Sequence, residues 1–192
     1  MGYLKQKYTK EYFLNKSEEG NPTSFGVIGL ENFLAGKIRK EDKEILDQIN
    51  FVNKTVLDIG FGRGEAIKYV FEHGTSNILG IDFSSAAFDI ATKYLQIYNI
   101  QAQLYCADAS EYLQKNRNKF KNSKIDVVLL LDVVEHIPRI ELRKLLREIN
   151  EVISSKTLVV INTPIFLVDN DAFSHGINPK SYDDSDDYQE TK

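Results

Sequence analysis

From Ile125 to Leu131 the chain reads IDVVLLL and then turns abruptly polar at Asp132. A nearly unbroken apolar run of strand length fits a central parallel strand buried on both faces. Four more β-rich runs, Thr55 to Ile59, Asn77 to Ile81, Ala102 to Cys106 and Thr157 to Asn162, are each followed by turn or polar residues. Segments of helical period fill the gaps. Glu65 to Glu72 places Ala66, Tyr69 and Val70 on one side, and Ala86 to Tyr98 does the same with Phe88, Ala91, Leu95 and Tyr98. Pro138 opens a further helix to about Val152, with Ile140, Leu142, Leu145, Leu146 and Ile149 as core candidates.

Strands alternating with helices predict βαβ units: an α/β, Rossmann-like, doubly wound and mostly parallel sheet with helices on both faces. Ligands of such a sheet sit beyond the carboxyl ends of its strands. The core is expected over residues 51–164. Residues 1–50 read as an N-terminal extension, helical from Gly29 to Ile49, with a short lid around Tyr8, Tyr12 and Phe13. Residues 165–192 read as a loop and an acidic tail ending in DDSDDYQE.

A chain of 192 residues, 42% hydrophobic and 27% charged, is expected to form one domain. The net charge of -4 argues against nucleic acid, which draws its partners to a basic face. The single cysteine, Cys106, cannot form an internal disulfide and reads as a small core residue. The start MGYLKQKYTKEYF has no apolar stretch of signal-peptide length, and no segment approaches a bilayer span, so a cytoplasmic setting without a membrane is expected. The basic stretch Lys115 to Lys124 precedes the fourth strand, at the rim away from the ligand end, and reads as a solvated loop. His73 falls at a helix end, where a cation suits the dipole.

VLDIGFGRGE places Asp58 inside the end of the first strand and Gly60, Gly62 and Gly64 in the following turn. Glycines there permit φ > 0 and let a ligand approach bare backbone, although a tight strand-to-helix turn needs them as well. A dinucleotide fingerprint would carry its third glycine at the position of Glu65. Carboxylates at Asp58 and Glu65 would repel a pyrophosphate, whereas Asp58 suits a ligand bearing an ammonium and a sulfonium. Charge therefore favours S-adenosylmethionine over a nicotinamide dinucleotide.

The second strand ends in GIDFS, which puts Asp82 where a carboxylate can accept both ribose hydroxyls and Phe83 where it can pack on the adenine. The structural alternative for Asp82 is a helix cap, but Ser84 and Ser85 already suit that role. At the third strand's end, CADASEYL offers Asp108 to the adenine amino group and the backbone N–H of Ala109 to the ring, again against a capping alternative. After the fourth strand, Asp132, Glu135 and His136 stand on the same rim.

Together these segments resemble the class I S-adenosylmethionine-dependent methyltransferases, in particular the subgroup whose fourth strand ends in D-x-x-E-H. The resemblance spans roughly Thr55 to Thr163. It implies Asp58 and Gly60 near the methionine end, Asp82 on the ribose, Asp108 at the adenine and Asp132 lining the methionine side. It leaves the small-molecule acceptor and its O, N or C atom open. His136 is the candidate base, with Glu135 beside it. A metal reading competes, because Asp132, Glu135 and His136 have a spacing that a helical turn would gather, with His175 as a further ligand. It is similar to the E-x-x-E-H site of some RNA and ubiquinone O-methyltransferases, but this chain begins the motif with aspartate, and no metal is assigned.

Three function classes follow: a methyltransferase, a cofactor-binding fragment without full activity, and a nicotinamide-dependent oxidoreductase, against which Gly64 and Asp58 both count. Class I folds normally add an antiparallel pair after strand five, and no such alternating runs follow Ile161. The expectation is a chain cut from a longer protein, or one paired with a second copy along the strand-five edge.

Overall fold

The computed structural model describes residues 8–14 and 26–163. The extension contributes helices α1 (Lys10–Leu14), α2 (Gly26–Leu34) and α3 (Lys40–Leu46). Then follow β1 (Thr55–Ile59), α4 (Glu65–Glu72), β2 (Asn77–Asp82), α5 (Ser85–Ile97) and β3 (Gln103–Cys106). The chain continues through α6 (Ala109–Lys115), α7 (Arg117–Asn122), β4 (Val127–Leu131), a 3₁₀ turn (Val134–His136), α8 (Arg139–Val152) and β5 (Leu158–Asn162).

The five described strands are all parallel, in the order β3-β2-β1-β4-β5. Pleating sends alternate side chains to opposite faces, and each face is buried. Val56, Ile78, Val127 and Leu129 join one apolar cluster with Ile67 and Val70 of α4 and Ala91 and Leu95 of α5. Leu57, Leu79, Val128 and Leu130 join another with Leu113, Phe120, Leu145 and Ile149 from α6, α7 and α8. Burial on both sides explains why the central strands carry no polar alternation.

The chain runs outward from β1 to β3, then returns to lay β4 on the other side of β1. That reversal opens a crevice between the carboxyl ends of β1 and β4. Among the described residues β5 is the outer strand, with Leu158 and Ile161 exposed. The acidic tail, His175 and the expectation of missing strands concern residues outside the described ones. No helix among the described residues is long and apolar enough to cross a membrane.

Three local expectations need correction. The stretch expected to be helical from Gly29 to Ile49 holds two helices, α2 and α3, separated by a turn in which Gly36 has φ 70°. The basic stretch forms the end of α6 and α7 rather than a solvated loop, because Phe120 is fully buried and anchors α7 to the sheet. Cys106, the last residue of the edge strand β3, is exposed rather than part of the core. His73 does cap α4, and its Nδ1 lies 2.7 Å from the Tyr69 carbonyl.

Candidate cofactor site

A cavity of about 520 Å³ opens at the carboxyl ends of the strands, within the size range of small-molecule sites. The glycine loop forms its floor. Gly60, Gly62 and Gly64 hold φ of 75°, 53° and 91°, a left-handed path that residues with a Cβ resist. The Gly60 amide donates to the Ile81 carbonyl at 2.7 Å, fastening the loop to the end of β2. A Cβ on Gly60 would stand 2.5 Å from Cγ2 of Val133, so the loop lies directly against the chain leaving β4.

Asp58 projects from β1 into the cavity wall, 2% exposed, and its Oδ2 is buried without a hydrogen-bond partner. Burial, and then the neighbouring Asp82, Asp42 and Glu65, push its carboxyl up to about 8. Asp82 has a job that neither sequence alternative anticipated. Its Oδ2 accepts from the Gly62 amide at 2.9 Å and its Oδ1 from the Ser84 amide at 2.8 Å, clamping the glycine loop to β2. Burial raises Asp82 to about 6 against those two hydrogen bonds. A carboxylate offers about four acceptor sites, so two remain for a ligand. Ser84 is the N-cap of α5, as expected, accepting from the Ala87 amide at 3.2 Å.

Asp108 caps α6: its Oδ1 accepts from the Glu111 amide at 2.9 Å and from the Ser110 hydroxyl at 2.7 Å. The capping alternative is therefore realised, yet Asp108 and Ala109 also line the cavity. Phe83 lines it too, with its ring edge-on to Tyr8 at 5.2 Å. Asp132 follows β4 in a left-handed conformation, φ 52°, which aspartate tolerates better than most residues. Its Oδ2 pairs with Arg39 and its Oδ1 is buried without a partner. Burial raises Asp132 to about 6, with Arg39 pulling the other way. His136 lines the cavity from the 3₁₀ turn, its Nε2 3.9 Å from the Glu135 carboxylate. The turn does not gather Asp132, Glu135 and His136: among the described residues no three His, Cys, Asp or Glu side chains converge as metal ligands.

Residues from the extension complete the cavity: Tyr8, Tyr12 and Phe13, from the segment read as a short lid, line it, and so do Arg39 and Asp42, of which local sequence gave little sign. Two hydrogen bonds fasten the Tyr8–Phe13 segment to the core: the Ser84 hydroxyl donates to the Tyr8 carbonyl at 2.9 Å, and Arg63 donates to the Phe13 carbonyl at 3.2 Å. Tyr8 also meets His136 edge-on at 6.1 Å. Arg63, 2% exposed, pairs with Glu65 at 2.5 Å and lies 4.7 Å over the Phe33 ring. Glu65 is thus an ion-pair partner within the fold. The acidic surplus of the cavity rests on Asp58, Asp82 and Asp132, whose carboxyls are raised chiefly by burial.

Residues 56–156 match the model of the methyltransferase domain family. Among curated proteins no sequence relative was found. Among solved structures, the PH0226 protein from Pyrococcus horikoshii OT3 superposes with a TM-score of 0.59 at 15% identity, over 86% of this chain and 63% of that one. A S-adenosylmethionine-dependent methyltransferase from Archaeoglobus fulgidus gives 0.56 at 24% identity, over 80% and 65%. The precorrin 8w decarboxylase from Methanobacterium thermoautotrophicum gives 0.54 at 18% identity, over 72% and 68%. At such identities the likeness is one of fold, and the chain spans about two thirds of the length of these neighbours. With more than half of its residues matched by the domain model and the glycine loop, Asp82 and Asp108 set around one cavity, the chain belongs to the class I S-adenosylmethionine-dependent methyltransferases.

Proposed function

We propose that this chain transfers a methyl group from S-adenosylmethionine to an oxygen, nitrogen or carbon atom of a small molecule. The observation that carries the reading is a pair of buried, unpartnered carboxylate oxygens, Asp58 Oδ2 and Asp132 Oδ1, on the wall of the cavity lined by the glycine loop. They suit a ligand bearing an ammonium and a sulfonium and oppose a pyrophosphate. An oxidoreductase reading would need the reverse charge at that loop.

In this reading Asp58 and Asp132 hold the methionine end beside Gly60, Gly62 and Gly64. Asp82 accepts the ribose hydroxyls with its remaining lone pairs. Phe83 packs on the adenine, whose edge meets Asp108 and the amide of Ala109. The bound cofactor supplies an electrophilic methyl group on its sulfonium. The chain contributes alignment of the acceptor behind that methyl group and exclusion of water by Tyr8 and Phe13. His136 takes the proton that a protonated acceptor must lose, and Glu135 beside it steadies the resulting imidazolium.

The acceptor is a small molecule, since a net charge of -4 does not attract nucleic acid. A cytoplasmic setting suits a chain with one cysteine. Pairing of two copies along β5 would show as a concentration-dependent dimer in sedimentation.

Calorimetry with S-adenosylhomocysteine and with NAD tests the cofactor, the former binding and the latter not. Mass-spectrometric detection of methylated products from pooled small-molecule acceptors tests the transfer. His136→Ala is expected to cut kcat about 10²- to 10⁴-fold while leaving the affinity for S-adenosylhomocysteine nearly unchanged. Tighter binding of NAD than of S-adenosylhomocysteine would overturn the reading.

A further inference from the structure

Four residues from three stretches of the chain close a ring at the cavity rim. The Asp132 amide, just beyond β4, donates to the carbonyl of Asn162 at the end of β5, at 2.8 Å. The Asn162 side-chain amide donates to Asp42 Oδ1 on α3 at 2.9 Å. Arg39 Nη2 donates to that same oxygen at 3.0 Å and also pairs with Asp132 Oδ2, which closes the circuit. Arg39 and Asp42 belong to the N-terminal extension, whereas Asp132 follows β4 and Asn162 ends β5.

We propose that Arg39 is a positioning residue of the cofactor site: by holding Asp132 Oδ2 it presents Oδ1 to the cavity as a fixed, ionised acceptor for the cofactor's ammonium. The inference rests on the proposed placing of Asp132 at the methionine end. It makes the extension a working part of the site, since the ring delivers the cation on which the carboxylate depends.

The charges around Asp132 explain the need. Asp42 on α3 and Glu135 on the 3₁₀ turn both oppose its ionisation, β5 offers only the neutral Asn162, and burial adds to the penalty. Arg39 is the cation that acts against them, and its effect on the Asp132 carboxyl is downward. One Nη2 serves two carboxylates at once, and its two N–H donors suffice for one hydrogen bond to each. Asp132 Oδ1 stays buried and without a partner, although its twin oxygen is paired. With Arg39 removed, Asp132 is left facing Asp42 and Glu135, so it protonates at higher pH and loses its fixed orientation.

The test is calorimetric binding of S-adenosylhomocysteine to the full chain and to Arg39→Gln, Asp132→Asn and the double variant, from about pH 5.5 to 8. Asp58 and Asp82 titrate in wild type and Arg39→Gln alike and cancel in their affinity ratio. Arg39→Gln is expected to bind about tenfold more weakly at the acid end, as for a one-unit rise in the Asp132 pKa, with the gap narrowing as pH rises. In the Asp132→Asn background Arg39→Gln should add little, and Arg39→Lys should recover part of the affinity. The melting temperature of each ligand-free variant separates site effects from loss of fold, and Arg39→Lys keeps the test open if Arg39→Gln does not fold. A ratio that is flat across pH, or an undiminished loss in the Asp132→Asn background, would overturn the inference while leaving the placing of Asp132 intact. Wild-type affinity in Asp132→Asn itself would overturn that placing, and the inference with it.

Discussion

Val133 fills the space where a side chain on Gly60 would stand: a Cβ there would lie 2.5 Å from Val133 Cγ2. The contact joins the glycine loop to the chain leaving β4, so the two sides of the cofactor crevice are set against each other at one point. Gly60→Ala meets both this clash and an unfavourable φ of 75°. Overpacking of this kind costs about 1 to 3 kcal/mol, and left-handed backbone at alanine adds about 1 to 2 kcal/mol. Chemical denaturation should show that loss, and Gly60→Ala combined with Val133→Ala should recover the packing part alone. A Gly60→Ala protein as stable as wild type would contradict the close approach.

Asp58 ties stability to pH. Its carboxyl is raised on folding from 3.8 to about 8, so the native state binds that proton more tightly than the unfolded chain does. The contribution is fully present below the unfolded value and is lost as pH rises through the folded one. Ligand-free wild type should therefore fall behind Asp58→Asn in melting temperature as the pH climbs from about 4 to beyond 8.

Cofactor binding reverses the preference of the same group. A cation beside Asp58 favours its ionised form, so binding of S-adenosylhomocysteine near pH 7 should release a proton. Calorimetry in buffers of different ionisation enthalpy reads this directly. Heats that do not vary with the buffer would separate Asp58 from the ligand's charge.

Strand positions were legible because β1, β2 and β4 are buried on both faces, and that leaves apolar runs with sharp polar ends such as Leu131 to Asp132. The glycine loop, Asp58, Asp82 and Asp108 were legible because each lies within a few residues of such an end. Arg39 gave no comparable sign, since its partner Asp132 is distant in sequence and an arginine in a helical extension reads as surface. Asp82's clamp on Gly62 was hidden for the same reason: the contact exists only once β1 and β2 pair. Phe120 shows the limit of composition, since one buried ring outweighs the lysines around it.

Arg63 holds the extension to the glycine loop. It is buried, pairs with Glu65, donates to the Phe13 carbonyl and lies over Phe33. Arg63→Met leaves Glu65 as a buried charge without its partner, which typically costs about 3 to 5 kcal/mol. Glu65→Gln added to Arg63→Met removes the stranded charge and should restore part of the stability in urea unfolding. If the double variant is no better than Arg63→Met, the loss comes from packing on Phe33 and the Phe13 contact instead.

Ser84 performs two tasks with one hydroxyl, accepting from the Ala87 amide at the start of α5 and donating to the Tyr8 carbonyl. Substitutions can divide them, because glycine is a fair N-cap and cannot donate. Ser84→Ala should lose about 1 kcal/mol of helix capping and a further 1 kcal/mol or so of hydrogen bonding to Tyr8. Ser84→Gly should lose mainly the second, since glycine in place of a capping serine costs the helix only about a few tenths of a kcal/mol. Both should release the segment carrying Tyr8 and Phe13 to a similar degree, read as faster hydrogen exchange over residues 8–14. Because Tyr8 packs against Phe83 and His136, both should also raise the KM for S-adenosylmethionine a few-fold. Wild-type protection of residues 8–14 in Ser84→Gly would show that aromatic packing and Arg63, rather than the serine hydroxyl, hold the segment over the cavity.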